Sequence, residues 1–331
     1  MPRLDSAPNT VESRASRGGV AVGQDRNLID PQSLMAIRNL ELRARGVVEG
    51  FWHGLHRSPY HGFSAEFTEY RQYVPGDDLR YLDWRVLART DRHYLKKFED
   101  ETNLRCHLLV DQSRSMTYGS LSYTKAEYAA TLAATLAYFL QLQGDAVGLL
   151  TFDEQVRDYL PARHRTGHLR RLMLQLERPA AGKATDLTAP LRHIVEIVRK
   201  RSLMILISDL LVPAEPLERN LTALTACGHE VVLFHLLDPA ELAFEFNQAV
   251  TFRDLESGRD LFLDPARVRE TYRTNLNAHL ASLDAVCQRL GIDRHRFDTA
   301  RPLERALFDF LRGRMQRGKR ARTTAMRRPS P

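Results

Sequence analysis

The chain has 331 residues, of which 43% are hydrophobic and 27% charged, and a formal net charge of +7. That composition is that of a globular protein with one sizeable core and a smaller attached part. Eight Lys or Arg and no acid stand after Leu311; subtracting them leaves residues 1–311 at −1, which excludes a dedicated nucleic-acid face on the body.

Residues 1–30 read as a disordered lead without an apolar signal region. From Pro31 to Arg45 the spacing of Leu34, Ile37, Leu40 and Leu42 suggests one helix, and residues 50–92, with "SPYHG" and "VPGDD", predict turns and short elements. Tyr94 to Arg105 predicts one or two strands. Residues 31–104 are taken together as an N-terminal subdomain.

From residue 105 strands and helices alternate. Leu108–Val110 is a strand and Lys125–Gln143 a helix of good formers. The uncharged stretch Tyr128–Gly144 inside it is too short to span a bilayer and predicts a buried helix. Ala146–Phe152 is a strand with Val156–Leu160 as an edge beside it. Thr166–Leu176 and Thr188–Lys200 are helices, the second with Thr188 as N-cap and Pro190 in its first turn. Leu203–Ser208 is an apolar run of the kind that buried parallel strands need. Pro216–Ala226 is a helix ended by Gly228, and "EVVLFHLL" is the next strand. The alternation predicts an α/β fold with a doubly wound, mostly parallel sheet over residues 105–238. Residues 239–311 are expected to add a hairpin turning at Glu256-Ser257-Gly258, a helix Pro265–Leu290, a short strand His295–Phe297 and a helix Leu303–Leu311, all packed on that core. Residues 312–331 form a basic tail, read as a solvated end or as an attractor of nucleic acid, anionic lipid or an acidic partner.

Cys106, Cys227 and Cys287 are far apart and form no C-x-x-C pair, so neither a disulfide framework nor a zinc site is expected; they fit a reducing, cytoplasmic setting. No P-loop and no H-E-x-x-H occurs. His53/His56 and His164/His168 have ligand-like spacing but no evident third ligand, and packing or surface roles are expected.

Chemistry gathers at strand ends. Asp111, Ser113 and Ser115 follow the first core strand in "VDQSRSM", Asp209 follows "LMILIS", and Thr185 lies in the loop before the helix leading to that strand. In an open α/β sheet ligands bind outside the carboxyl ends of the strands. Two carboxylates and three hydroxyls are hard donors suited to Mg²⁺, Mn²⁺ or Ca²⁺. They leave room for an oxygen from water or a partner's carboxylate. For the pentad alone, an acid and serines closing a strand is the simpler reading. Asp186, next to Thr185, reads either as a group supporting the site or as a helix-start acid. Arg114 is expected to point outward.

The five donors resemble the metal-ion-dependent adhesion site of von Willebrand factor A domains. That resemblance implies Ser113 and Ser115 as direct ligands, with Asp111, Thr185 and Asp209 bound directly or through water. Upstream, "GFSAEFTEYRQYVPGDDLRYLDW" sets Asp77, Asp78, Arg80, Asp83 and Trp84, and later Arg89, among aromatics. On the residues alone this is an Arg–carboxylate network, a partner-docking surface or a pair of catalytic carboxylates. Together with the D-x-S-x-S-M site it resembles the bacterial domain-of-unknown-function family number 58, from about Leu34 to Leu311, in its short branch without membrane spans. The resemblance implies a non-enzymatic, chaperone-like adaptor for a MoxR-type AAA+ ATPase and an unknown client protein. The competing reading is a metal-dependent hydrolase or phosphatase using Asp111, which lacks an acid two residues on.

Overall fold

The computed structural model describes residues 29–56, 70–72, 94–96, 104–180, 182, 186–246, 250–253, 260–305, 307 and 310. Residues 1–28 of the predicted lead, the basic tail, the hairpin turn at residues 256–258, and Asp77, Asp78, Arg80, Asp83, Trp84 and Arg89 lie outside these residues; the last two residues of that lead, Ile29 and Asp30, are ordered, Asp30 capping the first helix.

Instead of one helix over Pro31–Arg45 there are two, α1 (Pro31–Ala36) and α2 (Leu40–His56). Ile37 leaves helical geometry at ψ 110°, and Asn39 starts a new helix by accepting from the Leu42 N–H at 2.9 Å. The helix α2 thus runs into the region expected to hold only turns and short elements. Short strands β1 (Tyr70–Gln72) and β2 (Tyr94–Lys96) pair antiparallel.

The core elements follow in chain order: β3 (Arg105–Asp111), α3 (Lys125–Leu142), β4 (Ala146–Phe152), β5 (Val156–Arg163), α4 (His168–Leu176), α5 (Thr188–Ile197), β6 (Leu203–Ser208), α6 (Ala214–Ala226) and β7 (Glu230–Leu237). After them come α7 (Pro239–Ala243), the hairpin strands β8 (Val250–Arg253) and β9 (Asp260–Leu263), α8 (Pro265–Leu290) and β10 (Asp293–Asp298).

Six strands form one sheet in the order β10-β7-β6-β3-β4-β5, parallel except for the antiparallel edge strand β5. The expected short strand at His295–Phe297 is longer and belongs to this sheet: all six residues of β10 pair with β7. Residues beyond 238 therefore complete the core sheet as well as packing on it.

Alternate residues of the central strands feed two cores, as a period of two requires. Leu108, Val110, Ile205 and Phe234 face α2, α3 and α4, together with Leu303, Leu307 and Phe310. Leu109, Met204, Leu206 and Leu233 face α5, α6 and α8. The uncharged stretch is a buried helix, as expected: twelve residues of α3 are buried. Among the described residues no helix is long and apolar enough to cross a membrane.

Two helix starts differ from expectation. Thr188 is the first residue of α5, not its cap; its N–H is held by Asp186 Oδ1 at 2.8 Å. That makes Asp186 a helix-start acid, one of its two readings. The helix α4 begins at His168, after Gly167 at φ +78°, not at Thr166. His168 is buried with Nε2 2.8 Å from the Val147 carbonyl, so it packs and does not pair with exposed His164.

Candidate metal and ligand site at the carboxyl rim

The chain leaves β3 toward β4 and β5 on one side, then crosses back to β6, β7 and β10 on the other. The loops after β3 and β6 therefore diverge and open the crevice where doubly wound sheets bind ligands. Asp111 and Asp209 stand at this switch point.

One device closes all five mutually parallel strands: an Asp whose Oδ1 accepts the N–H two residues on, which turns the chain out of the sheet. The acceptors are Asp111 from Ser113 (2.8 Å), Asp153 from Gln155 (3.0 Å), Asp209 from Leu211 (3.4 Å), Asp238 from Ala240 (2.8 Å) and Asp298 from Ala300 (3.0 Å). The strand-terminator reading of the Asp111 pentad is thus correct as local structure, and the same turn recurs at the other four acids.

The second oxygen tells them apart. Asp153 Oδ2 is held by Arg157, Asp209 Oδ2 by Lys125 Nζ at 2.9 Å, Asp238 Oδ2 by the Ser120 N–H at 2.9 Å and Asp298 Oδ2 by Arg301 at 3.3 Å. Asp111 Oδ2 receives only the neutral hydroxyl of Ser208, at 2.5 Å. Asp111 is 1% exposed. Burial first, and the charge of Asp209 second, push its carboxyl up to about 7, against the hydrogen bonds from Ser208 and Ser113. Among the described residues it is the strand-end carboxylate that meets neither a cation nor a second backbone N–H.

Ser113 is fully buried, and its Oγ lies 3.1 Å from Ser115 Oγ beside Asp111. Arg114 is exposed, as expected. Thr185 lies outside the described residues, but both flanks of residues 183–185 are tied to this rim. The Gly182 N–H donates to the Gln112 carbonyl at 3.2 Å and the Asp186 N–H to the Asp153 carbonyl at 3.4 Å. Gly182 comes so close that a Cβ there would stand 2.6 Å from the Gln112 oxygen and 2.9 Å from Ser113 Cα.

Behind Asp209 lies a group the sequence reading missed. Lys125 Nζ, on a side chain with no exposure, bridges Asp209 Oδ2 and Glu241 Oε1 at 2.9 and 2.6 Å. Burial opposes its charge, but the two acids outweigh burial and raise its pKa. A lysine as first residue of an 18-residue helix faces the positive end of the helix dipole, which is the sequence signal that an acidic partner is needed. Ser208, also missed, could be found only by pairing strands. Leu210, fully buried at φ +51°, is held in this left-handed pose by its N–H on Ser208 Oγ (3.0 Å) and its carbonyl on His279 Nε2 (3.0 Å). This turn leaves Leu211 48% exposed beside Asp209.

The donor chemistry fits a hard divalent cation. Among the described residues no three His, Cys, Asp or Glu side chains come together, so Asp111 and Asp209 would be joined by hydroxyls and water, as hard cations accept.

Strand order and the antiparallel edge strand give a doubly wound, mostly parallel α/β fold of von Willebrand factor A type. The chain belongs to the DUF58 family: the family model described as "Protein of unknown function DUF58" matches residues 69–282. It is 31% identical over 259 residues to the uncharacterized proteins Rv1480 of Mycobacterium tuberculosis and Mb1516 of Mycobacterium bovis, covering 77% of this chain and 81% of each relative. Similar solved structures include an aerotolerance-related membrane protein from Bacteroides fragilis (16% identity, 62% of this chain and 97% of that one, TM-score 0.43). BatB from Bacteroides thetaiotaomicron has 14% identity, covers 63% and 99%, and has a TM-score of 0.44. The VWA domain of SpRpn10 has 12% identity, covers 62% and 93%, and has a TM-score of 0.38.

Proposed function

We propose that the chain is a non-enzymatic, metal-dependent protein-binding adaptor. Asp111, Ser113, Ser115, Thr185 and Asp209 would hold Mg²⁺ or a similar hard dication, and a carboxylate of the bound protein would complete its ligands. When bound, the ion supplies concentrated positive charge in a partly desolvated crevice. The observation that carries this reading is the buried Asp111 carboxylate, uncompensated where its four counterparts each meet a cation or a second N–H. A charge of that kind is costly without a cation.

The chain's own residues do the rest. Ser208 and the Ser113 N–H orient Asp111, Gly182 brings the loop before α5 against Ser113, and exposed Leu211 offers an apolar contact at the rim. A nucleophilic role for Asp111 has less support, because both its oxygens accept hydrogen bonds and Ser113 stands where a proton-handling acid would be wanted. The family resemblance adds a MoxR-type AAA+ ATPase as the proposed partner.

Melting curves with Mg²⁺ and with EDTA test the site. At about a hundredfold excess over Kd, the metal should stabilise the wild type by about 2.7 kcal/mol, and Asp111→Ala or Ser113→Ala should abolish the shift while remaining folded. Equal shifts in all three proteins would remove the site assignment. For the adaptor role, an AAA+ ATPase should be captured from native lysate by wild type with Mg²⁺, and neither by Asp111→Ala nor in EDTA.

A further inference from the structure

Lys125 is buried more deeply than its local role requires. A helix start needs no lysine, and a buried ion pair of this kind is commonly no more stable than an apolar replacement. Its position has three features. The ammonium is shared between two acids on different elements: Asp209, which closes β6 at the rim, and Glu241, on α7. Glu241 is itself fixed, its other oxygen accepting from the Asp238 N–H at 2.9 Å, so it offers a prepared place to which the ammonium can retreat. The ammonium also stands 5.9 Å from the ring centroid of Tyr118, just after the turn that carries Ser115, and the Lys125 N–H is bonded to the Tyr118 carbonyl at 2.9 Å. Lys125 thus touches both loops of the candidate site.

Charge gives the consequence. Asp111, Asp209, Asp238 and Glu241 set against Lys125 leave an excess of formal negative charge, which a divalent cation would reduce. The nearby cation Arg294 is already committed to Asp284, at 2.5 Å. Asp209 has one oxygen on the Leu211 N–H, at 3.4 Å, and the other on Lys125, at 2.9 Å, so a metal drawing on this carboxylate would share its charge with the ammonium.

We infer that Lys125 is an internal counter-ion that competes with the dication for Asp209 and thereby sets how tightly the rim takes metal. The inference rests on the metal reading above and adds its regulation. Metal entry shifts the ammonium from Asp209 toward Glu241; removing the ammonium opens Asp209, and weakening Glu241 as the alternative place fastens the ammonium on Asp209.

The test is Mn²⁺ titration of the full chain, followed by the loss of the free-ion paramagnetic resonance signal. Lys125→Met is expected to bind about tenfold more tightly or better, a shift of about 1.4 kcal/mol or more. Glu241→Gln, which keeps an acceptor for the lysine, is expected to bind several-fold more weakly. Binding seen in Lys125→Met but below detection in wild type supports the competition in its strongest form. Folded Lys125→Met with equal or weaker affinity overturns it, as do variants that move affinity in the same direction. Should Lys125→Met not fold, Glu241→Gln decides alone, and unchanged or tighter binding there overturns the inference. If none of the three proteins binds Mn²⁺, the metal reading itself falls; if wild type binds and both variants match it, only the competition falls.

Discussion

Asp111 and His107 lie on the same strand, and each pays differently for burial. Asp111 is a buried acid whose two oxygens accept from the Ser113 N–H and the Ser208 hydroxyl; an amide there would keep the first bond with its oxygen and donate from its nitrogen to Ser208 Oγ. In EDTA, Asp111→Asn is therefore expected to be more stable than wild type, by on the order of 1 kcal/mol, while losing all response to Mg²⁺. Paired melting curves check both halves. His107 is 3% exposed and stacked on Tyr159, and burial first, then His229 and Arg105, push it down to about 4. Its folded pKa lies below the unfolded value near 6.5, so the unfolded chain takes the proton first. Its contribution to stability is complete above pH 6.5 and is lost as pH falls toward 4, at no more than about 1.4 kcal/mol per unit. His235, pushed down to about 3, acts in the same sense. His107→Gln should reduce, without abolishing, the fall in urea midpoint between pH 7 and pH 5.

Among the elements, the strand-end turns and the loop before α5 decide the geometry of the rim. The approach of Gly182 to Gln112 and Ser113 leaves no room for a methyl group. Gly182→Ala should push that loop off the rim, costing about 1–3 kcal/mol as overpacking does, and weaken the Mg²⁺-induced melting shift. A full shift in this variant would mean that the loop carrying Thr185 is not needed for metal. At this scale the sequence was legible where one local signal dominates: Ala146–Phe152, Leu203–Ser208, Glu230–Leu237 and Pro265–Leu290 have the bounds expected of them. It was less legible where two polar residues compete for one helix start, as Asp186 and Thr188 do, or where Asn39 restarts a helix inside one continuous apolar spacing.

For the whole molecule, the strand β10 and the buried Leu303, Leu307 and Phe310 make the C-terminal third part of the core. Phe310 meets Phe234 of β7 edge-on with ring centroids 5.1 Å apart. A fragment 105–238 would expose the outer edge of β7 and this aromatic packing. It is expected to lack a cooperative urea transition, which a chain ending at Leu311 should retain; near-ultraviolet circular dichroism during denaturation distinguishes them. A sharp transition in the fragment would restore residues 105–238 as a self-sufficient core.

By itself the sequence determined the fold class, the place of the basic charge after Leu311, and the oxygen donors at the ends of β3 and β6, because apolar runs ending in acids are local and read directly. It displayed Asp153 and Asp238 in the same strand-end position as Asp111 and Asp209, but with no means of ranking the four. Only the tertiary structure decided that: Lys125 and Ser120 reach Asp209 and Asp238 from far along the chain, and Asp111 receives a hydroxyl from a neighbouring strand, whereas Asp153 is met locally by Arg157, four residues on. What sets Asp111 apart here is the partner of its second oxygen, the Ser208 hydroxyl, which the pairing of β3 with β6 supplies and no local spacing encodes.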